Sequence, residues 1–306
     1  MPSLMDIPYD VVVVGSLNQD ISVLAPHLPR PGETVLATDH FTGPGGKGAN
    51  QAVAAARLGA SVAMVGLVGD DEQGRYLIST LEEAGVGVTG VGVGETRTGL
   101  ALITIAPDGE NTIVGSSGAN MMRTPDHIRA QRDLIASAKV VIAQLEVPPG
   151  TVLAAAGLTT GIFCLNPAPA SVIPGDLLAH VDVLIPNRSE LGILAGTAEP
   201  STIDEVSHAL ERLDFEGPVA VTLGSDGALL RAESTSMSFP AHDVEAVDAT
   251  GAGDAFCGAL AFGLSRGEPM SRAVTFAVAA GAVAVTRFGA QDSMPTLAEV
   301  EAMVGW

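Results

Sequence analysis

The chain has 306 residues, of which 47% are hydrophobic, 16% are charged and 4% are aromatic. This composition supports a large core built mainly from Ala, Val, Leu and Ile, and it argues against intrinsic disorder. The formal net charge of −20 repels the phosphate backbone of nucleic acids, so nucleic acid is not an expected partner.

Apolar strand-like runs alternate with helical patterns along the chain, which is typical of an α/β protein with a parallel sheet. The patterns predict strands over 11–14, 62–65, 140–143, 162–165, 183–185 and 219–223, and helices over 49–58, 71–84, 252–265 and 271–285. Two stretches, 34–42 and 99–112, resemble exposed strands that neighbour no helix. They predict a small antiparallel sheet outside the main one, which could act as a lid.

The strongest chemical signal is the run Asp-Ala-Thr-Gly-Ala-Gly-Asp over 248–254, directly before an apolar helix. Glycines at a helix start leave backbone N–H groups bare, so Gly251, Ala252 and Gly253 could form an anion hole for a phosphoryl group. Asp254, in the first turn, could take the proton from an attacking hydroxyl. A simple N-cap is the alternative role for Asp254, but the glycines and the upstream carboxylate favour catalysis.

Two further clusters carry groups that suit sugar hydroxyls. The run Gly-Gly-Lys-Gly-Ala-Asn-Gln over 45–51 opens a helix, and its Lys47 and Asn50 offer hydrogen-bond donors. An ordinary helix-start loop is the alternative interpretation of this run. Asn18 and Asp20 follow the first strand and share one face of an extended chain, at the strand end where parallel sheets bind ligands.

Two later segments suit a nucleotide and its metal ion. Asn187 and Glu190 follow the strand over 183–185 and could orient the waters of a Mg²⁺ ion, with helix capping as an equally good explanation. The run Thr-Leu-Gly-Ser-Asp-Gly over 222–227 follows the next strand. It predicts either a turn that lines a nucleotide groove or a simple hairpin.

Three strings match motifs of other protein classes in the wrong structural context. The run over 85–90 matches the dinucleotide fingerprint, but it follows a helix and precedes none, so a helix C-cap and a turn are preferred. Gly-Leu-Ser-Arg-Gly over 263–267 matches a hydrolase elbow but lies at a helix end. The run over 43–48 nearly spells a Walker A loop, but Gly48 stands where Ser or Thr is needed.

The two cysteines, Cys164 and Cys257, each lie in an apolar stretch. Buried thiols without a disulfide framework are typical of a reducing compartment, and the N-terminus lacks a signal-peptide pattern. The longest apolar run, around 273–285, is too short to cross a bilayer. We therefore expect a cytoplasmic protein with no membrane partner.

The motifs together resemble the ribokinase-like sugar kinase family (the PfkB group), nearly end to end from Asn18 to the run over 286–291. The resemblance implies an α/β, three-layer fold with a central, mostly parallel sheet flanked by helices. It implies one kinase domain over 1–306, with a β-sheet lid formed by roughly 17–42 and 96–116. It further implies ATP-dependent phosphorylation of the 5-hydroxyl of D-ribose, with Mg²⁺ and K⁺ as cofactors, and a homodimer through the lid.

The resemblance also assigns roles to individual residues. Asp254 becomes the catalytic base, and Gly251, Ala252 and Gly253 become the anion hole. The implied sugar-binding residues are Asn18, Asp20, Gly46, Lys47, Asn50, Glu146 and Asp254. The implied ATP-binding residues are Asn187, Thr222, Gly224, Ser225, Gly227 and Gly253. Glu190 would hold Mg²⁺ through water, and the K⁺ ligands would be Asp248, Thr250, Ala284, Arg287, Gly289 and Ser293.

Other functions remain open from the sequence. A kinase of the same family could act on fructose, deoxyribose, a sugar phosphate or a nucleoside. The loop over 47–50 and the run over 289–291 favour ribose as the substrate. A non-catalytic sugar-binding protein is the alternative from another class, disfavoured by the intact Asp254 and anion hole. Val278 falls where relatives often carry a polar residue near adenine, so the choice of nucleotide base is open.

Overall fold

The computed structural model describes residues 9–107, 110–171, 173–233 and 235–305, so residues 108–109 of the predicted lid lie outside the described residues. The strands are β1 Val11–Val14, β2 Asn18–Leu24, β3 Asp39–Gly45, β4 Val62–Gly69, β5 Gly87–Gly94, β6 Gly99–Ile105, β7 Asn111–Ser116, β8 Val140–Ala143, β9 Ile162–Leu165, β10 Val183–Leu184, β11 Val219–Thr222, β12 Ala228–Ala232 and β13 Thr235–Phe239. The helices are α1 Lys47–Arg57, α2 Glu72–Glu83, α3 Pro125–Arg129, α4 Arg132–Ala136, α5 Pro149–Ala156, α6 Gly175–Leu178, α7 Arg188–Ala195, α8 Ile203–Glu211, α9 Ala252–Ser265, α10 Met270–Ala284 and α11 Leu297–Val304. Short 3₁₀ turns cover Gly118–Met122 and Gly224–Asp226.

Within the described ranges, nine strands form the main sheet in the order β13-β12-β11-β10-β9-β8-β1-β4-β5. Neighbouring strands from β11 to β5 run parallel, and β12 and β13 extend one edge in antiparallel fashion. A strand that is buried on both faces has a continuous apolar sequence. The four valines of β1 show this pattern, because all of them are fully buried. The predicted three-layer α/β fold is confirmed.

The two faces of the main sheet hold two separate apolar cores. Val11 and Val13 point into the core beneath α1, α9 and α10, whereas Val12 and Val14 point into the core beneath α5 and α8. Helices α9 and α10 are apolar on nearly every side because they pack against each other, the sheet and α1 or α11. No helix within the described ranges has both the length and the apolar character needed to cross a bilayer.

The second sheet has the order β3-β2-β6-β7 and lies apart from the main sheet. Its central pair, β2 and β6, runs parallel, so the prediction of an antiparallel sheet is wrong for that pair. Between these strands the chain passes through β3, α1, β4, α2 and β5, and it re-enters the small sheet in the same direction. The strand predicted over 34–42 lies further along, at β3, where Pro44 is tolerated because β3 is an edge strand.

The glycine-rich string over 85–90 has a structural role. Gly85 follows α2 with a positive φ of 79°, as expected of a residue that ends a helix. The turn predicted after it is wrong, because Gly87 begins β5, the edge strand of the main sheet. The dinucleotide interpretation is excluded here because no helix follows this string.

Candidate active site

Polar residues follow five neighbouring parallel strands at the same edge of the main sheet. They are Ser16 after β1, Gln144 after β8, Asn166 after β9, Asn187 after β10 and Thr222 at the end of β11. The carboxyl ends of parallel strands are the usual ligand-binding edge of such a sheet. The N-terminus of α1 also reaches this edge, because Ala49 N donates to Ser16 O at 3.0 Å.

Asp254 lies in the first turn of α9 and is only 8% exposed. Asn50 Nδ2 donates to its Oδ2 and Gln51 Nε2 donates to its Oδ1, both at 2.9 Å. Burial raises the pKa of Asp254, while the charge of Lys47 and the two amide donors oppose that rise. A carboxylate oxygen offers about two acceptor sites, so each oxygen can still receive a further donor.

A chain of buried amides supports this carboxylate, and its members Gln51, Gln144 and Asn166 are not among the predicted site residues. Gln144 Nε2 donates to Gln51 Oε1 at 2.6 Å, and Gln51 Nε2 also donates to Asn166 Oδ1 at 3.1 Å. Gln144 and Asn166 follow predicted strands directly, and that position was the signal that could have identified them. Asn50, expected to donate to the sugar, uses its donor on Asp254 instead, and its Oδ1 is buried without a partner among the described residues.

Lys47 is the cation of this site. Burial pulls the pKa of its ammonium down, but the carboxylates of Asp254, Glu146 and Glu190 outweigh burial, so the pKa lies above its usual value. Glu146 Oε2 accepts hydrogen bonds from Ser16 Oγ and from Lys47 N. Lys47 therefore stays charged in a protein whose net charge is strongly negative.

The predicted anion hole lies at the start of α9, which the chain enters through a glycine. Gly251 is the N-cap, with φ 78°, and a Cβ there would lie 3.1 Å from Ala290 Cα. Ala252 N donates to Ala249 O at 3.2 Å, so one of the three predicted donors is engaged within the turn. Gly253 lines the adjoining cavity and stands at the positive end of the helix dipole.

Two cavities meet at this helix start. The smaller, of about 210 Å³, is lined by Lys47, Asp254, Asn187, Glu190 and Cys257 among others. The larger, of about 640 Å³, is lined by Gly224, Ser225, Gly227, His242, Phe256 and Val278 among others. Thr222, Ala249 and Gly253 border both. A long ligand could therefore lie in the larger cavity with one end beside Asp254.

Asn187 and Glu190 form a capping box at the start of α7, which is the structural alternative considered for them. Asn187 Oδ1 accepts from Glu190 N at 2.8 Å, and Glu190 Oε2 accepts from Asn187 N at 2.9 Å. Both residues also line the smaller cavity. No cluster of three or more His, Cys, Asp or Glu able to hold a metal occurs among the described residues. One carboxylate at a cavity wall fits a Mg²⁺ ion that keeps its waters.

The predicted sugar-binding residues of the small sheet lie at its junction with the main sheet. Gly46 has φ 90°, and a Cβ there would lie 2.7 Å from Asn18 N. Asn120, missed from the sequence, clamps the junction: its Oδ1 accepts from Leu17 N at 2.9 Å and its Nδ2 donates to Asn18 Oδ1 at 2.8 Å. Burial and then the charges of Glu146 and Asp254 raise the pKa of Asp20 to about 7.

A small cavity lies between the second sheet and a loop of the main body. It is lined by Asp20, Ser22, Phe41, Ile103, Asp248, Thr250, Gly289 and Gln291 among others. The inner face of the small sheet thus covers the edge where the main-sheet site lies.

The residues expected to hold K⁺ surround the loops 248–250 and 287–293. Asp248 Oδ1 accepts from Thr250 N at 2.9 Å and its Oδ2 accepts from Gly289 N at 3.0 Å. Ala284 O accepts from Arg287 N at 3.3 Å, Arg287 is paired with Glu299, and buried Ser293 donates to Ala290 O at 2.8 Å. Gln291 Oε1 is a buried acceptor without a partner among the described residues. Asp248, Thr250, Gly289 and Gln291 line one small cavity, whose lining does not include Ala284, Arg287 or Ser293. The orphaned Gln291 Oε1 is an oxygen acceptor of the kind that a potassium ion binds.

The model of the pfkB family carbohydrate kinases matches residues 9–297. A ribokinase of Schizosaccharomyces pombe is 39% identical, covering 95% of this chain and 96% of its own. A deoxyribokinase of Salmonella typhi is 36% identical, covering 94% of this chain and 96% of its own. The structure of Arabidopsis thaliana ribokinase complexed with ribose and ATP superposes with a TM-score of 0.87 at 32% identity, covering 98% of this chain and 100% of that chain.

Proposed function

The chain belongs to the pfkB family of carbohydrate kinases, and on that premise we propose that it transfers the γ-phosphoryl group of ATP to the 5-hydroxyl of D-ribose, giving D-ribose 5-phosphate and ADP. One observation supports this activity above the others. Asp254, held by two amides, lies beside Gly253 where the two cavities meet, so an acceptor hydroxyl and a nucleotide phosphate can meet there.

Different residues have separate roles in the proposed reaction. Asp254 accepts the proton of the sugar hydroxyl as the hydroxyl oxygen attacks the γ-phosphorus and the bond to the β-phosphate oxygen breaks. Lys47 and the N–H groups at the start of α9 stabilise the negative charge of the phosphoryl oxygens. Asn50 Oδ1 can accept a hydrogen bond from the sugar, because it is buried and otherwise unpartnered among the described residues.

Two metal ions complete the proposed site. Glu190, through water, with Asn187 nearby, would hold Mg²⁺, which supplies charge neutralisation at the phosphates. Asp248, Thr250, Ala284, Arg287, Gly289 and Ser293 would hold K⁺ beside the anion hole. Asp248 accepts hydrogen bonds from Thr250 N and Gly289 N, so it joins the loop before α9 to the loop around Gly289. A cation that orders these loops would therefore also order the glycines that precede Asp254.

The decisive experiment measures ADP release from MgATP with D-ribose, 2-deoxyribose, fructose, fructose 6-phosphate and adenosine, each with and without potassium. We expect ribose-dependent turnover that potassium increases. The deoxyribokinase relative makes 2-deoxyribose the alternative acceptor, and a higher kcat/KM for that sugar would replace ribose while keeping the mechanism. No turnover with any acceptor would favour a sugar-binding protein.

The raised pKa of Asp20 predicts that its carboxylate lowers the stability of the fold at high pH, although we propose that the same carboxylate binds the sugar. Because its pKa is raised to about 7, the folded protein binds more protons than the unfolded chain between about pH 4 and pH 7, and stability falls as pH rises through that interval. Asp20→Asn should therefore raise stability at pH 8 by about 1–3 kcal/mol, with little gain at pH 4, and raise the KM for sugar at least about tenfold.

Urea unfolding at pH 4, 6 and 8 measures the stability effect of Asp20→Asn. Asp39→Asn, at an exposed position on the same small sheet, is the matched control for the loss of one carboxylate. An equal stability change at all three pH values would contradict the shifted titration of Asp20.

Two further proposals concern assembly and location. We propose that the small sheet acts as a lid and that two lids pack together in a homodimer, because Leu102 and Val114, which pair across β6 and β7, are 46% and 69% exposed. Sedimentation of the protein with and without Val114→Asp tests the dimer, and a monomeric wild type would contradict it. Free, buried Cys164 and Cys257 are consistent with a cytoplasmic protein.

A further inference from the structure

The carboxylate of Asp254 is anchored unequally by its two amide partners. Asn50 Nδ2 reaches Oδ2, but Asn50 Oδ1 has no partner among the described residues, so nothing on that side fixes the orientation of this amide. Gln51 Nε2 reaches Oδ1, and every other polar atom of that amide is also engaged. Gln51 is fully buried and both polar atoms of its amide are bonded within the protein, so it acts on the carboxylate and not on substrate.

The orientation of the Gln51 amide is imposed by its neighbours. Gln51 Oε1 accepts from Gln144 Nε2, and the Gln51 nitrogen faces Asp254 and Asn166 Oδ1. Gln144 Oε1 has no partner among the described residues, so the fixed end of this chain of amides is Asn166. Asn166 in turn presents its oxygen to Gln51 because its Nδ2 donates to Ile185 O at 2.9 Å. A flipped Gln51 amide would set its oxygen against two acceptors, which is costly in a buried network.

This chain of amides spans the strand edge of the sheet. Its members follow β8 and β9 and occupy the first turns of α1, and it ends at the first turn of α9. The position of the Asp254 carboxylate is therefore set by the rigid sheet through Gln51. We propose that Gln51 is a positioning residue for phosphoryl transfer, whose amide, bonded to Gln144 and oriented by Asn166, aims one oxygen of Asp254 at the acceptor hydroxyl and holds the carboxylate ionised.

This inference rests on the proposed function, and its chemistry predicts a particular kinetic pattern. A donor to a carboxylate favours the ionised form, so removing it should move the acid limb of kcat toward higher pH. Sugar contacts are made by other groups, so the KM for sugar should change little. The charged or titratable groups around Asp254 are Lys47 on α1, Asp20 on β2, Glu146 after β8, Glu190 on α7 and Cys257 on α9, and all remain in the variant.

The test compares full-length wild type with Gln51→Met, a side chain of similar length without hydrogen-bonding groups. We expect kcat to fall by about tenfold to a hundredfold, the acid limb of kcat to rise by about one to two pH units, and the KM for sugar to stay within about threefold. Gln73→Met, on the exposed face of α2, is the control and should match wild type. Melting temperatures of all variants are recorded.

A second variant, Gln144→Met, keeps Gln51 but removes the donor to its Oε1. We expect the acid limb of kcat to move to higher pH, as in Gln51→Met, with a smaller loss of kcat. If Gln51→Met does not fold, this variant tests the positioning role of Gln51 in its place. A folded variant whose kcat falls or whose melting temperature drops with an unmoved acid limb would overturn the positioning role. Wild type without sugar-dependent ADP release would instead overturn the proposed function, so the two failures are distinguishable.

Discussion

Replacement of Asp254 by Asn is expected to lower kcat by about 10²–10⁴-fold, the scale of losing a general base. Asn has the same shape as Asp but cannot take a proton from the sugar hydroxyl. Binding of ATP should be little changed, because the larger cavity lies beyond Gly253 and does not include the Asp254 side chain. Steady-state kinetics with saturating sugar and MgATP measure the effect.

The fold of the Asp254→Asn variant needs its own measurement, because the new NH₂ group faces a donor from Asn50 or Gln51. A melting curve separates unfolding from chemistry. Asp126→Asn, an exposed carboxylate near the start of α3, serves as the control for loss of one negative charge. A folded Asp254→Asn variant with kcat near that of wild type would show that positioning and charge stabilisation suffice without this base.

Replacement of Gly48 by Ala is expected to lower the free energy of unfolding by about 2–4 kcal/mol and to impair catalysis as well. A Cβ at this position would lie 2.6 Å from Ser16 N and 2.7 Å from Gly15 C, both backbone atoms of the segment that follows β1. Neither can rotate away, so α1 must move. Asn50 and Gln51 would move with it, and a displacement near 1 Å at a reacting group can cost about a hundredfold in rate.

Urea unfolding of Gly48→Ala and of a matched helical control measures this effect. Gly150→Ala in α5 is the control, because a Cβ there would meet only Pro125 Cγ at an ordinary 3.8 Å. Ala is favoured over Gly inside a helix, so the control should be neutral or stabilised by up to about 1 kcal/mol. An unfolding midpoint for Gly48→Ala equal to that of wild type would show that α1 can shift without cost.

Local sequence signals anticipated some of the backbone features around the candidate site. The glycines before Asp254 predicted a helix start with bare N–H groups, and the chain indeed enters α9 through Gly251 in the left-handed region. Thr222, Gly224, Ser225 and Gly227 were expected beside a nucleotide, and they line the larger cavity. These features depend on a few consecutive residues and on backbone conformations that glycine favours, so they can be recognised without long-range contacts.

Contacts between residues that are far apart in the sequence could not be predicted from these local signals. Gln51 and Asn166 meet although 115 residues separate them, and Asn120 reaches Asn18 across 102 residues. A lone Asn or Gln in a sequence carries no sign of its partner. The sequence likewise gave no sign that Asn50 donates to Asp254, because the two residues are 204 positions apart.

The sequence by itself determined the alternation of strands and helices, the buried parallel sheet and the helix start that carries Asp254, because periodicity and glycine placement act over a few residues. Tertiary structure alone decided that β2 and β6 pair in parallel, that β3 begins at Asp39, and that Gln51 is hydrogen-bonded to two other amides. The reason is physical: register and hydrogen-bond partners are set by which distant segments the two cores bring together, and only the packed chain brings those segments into contact.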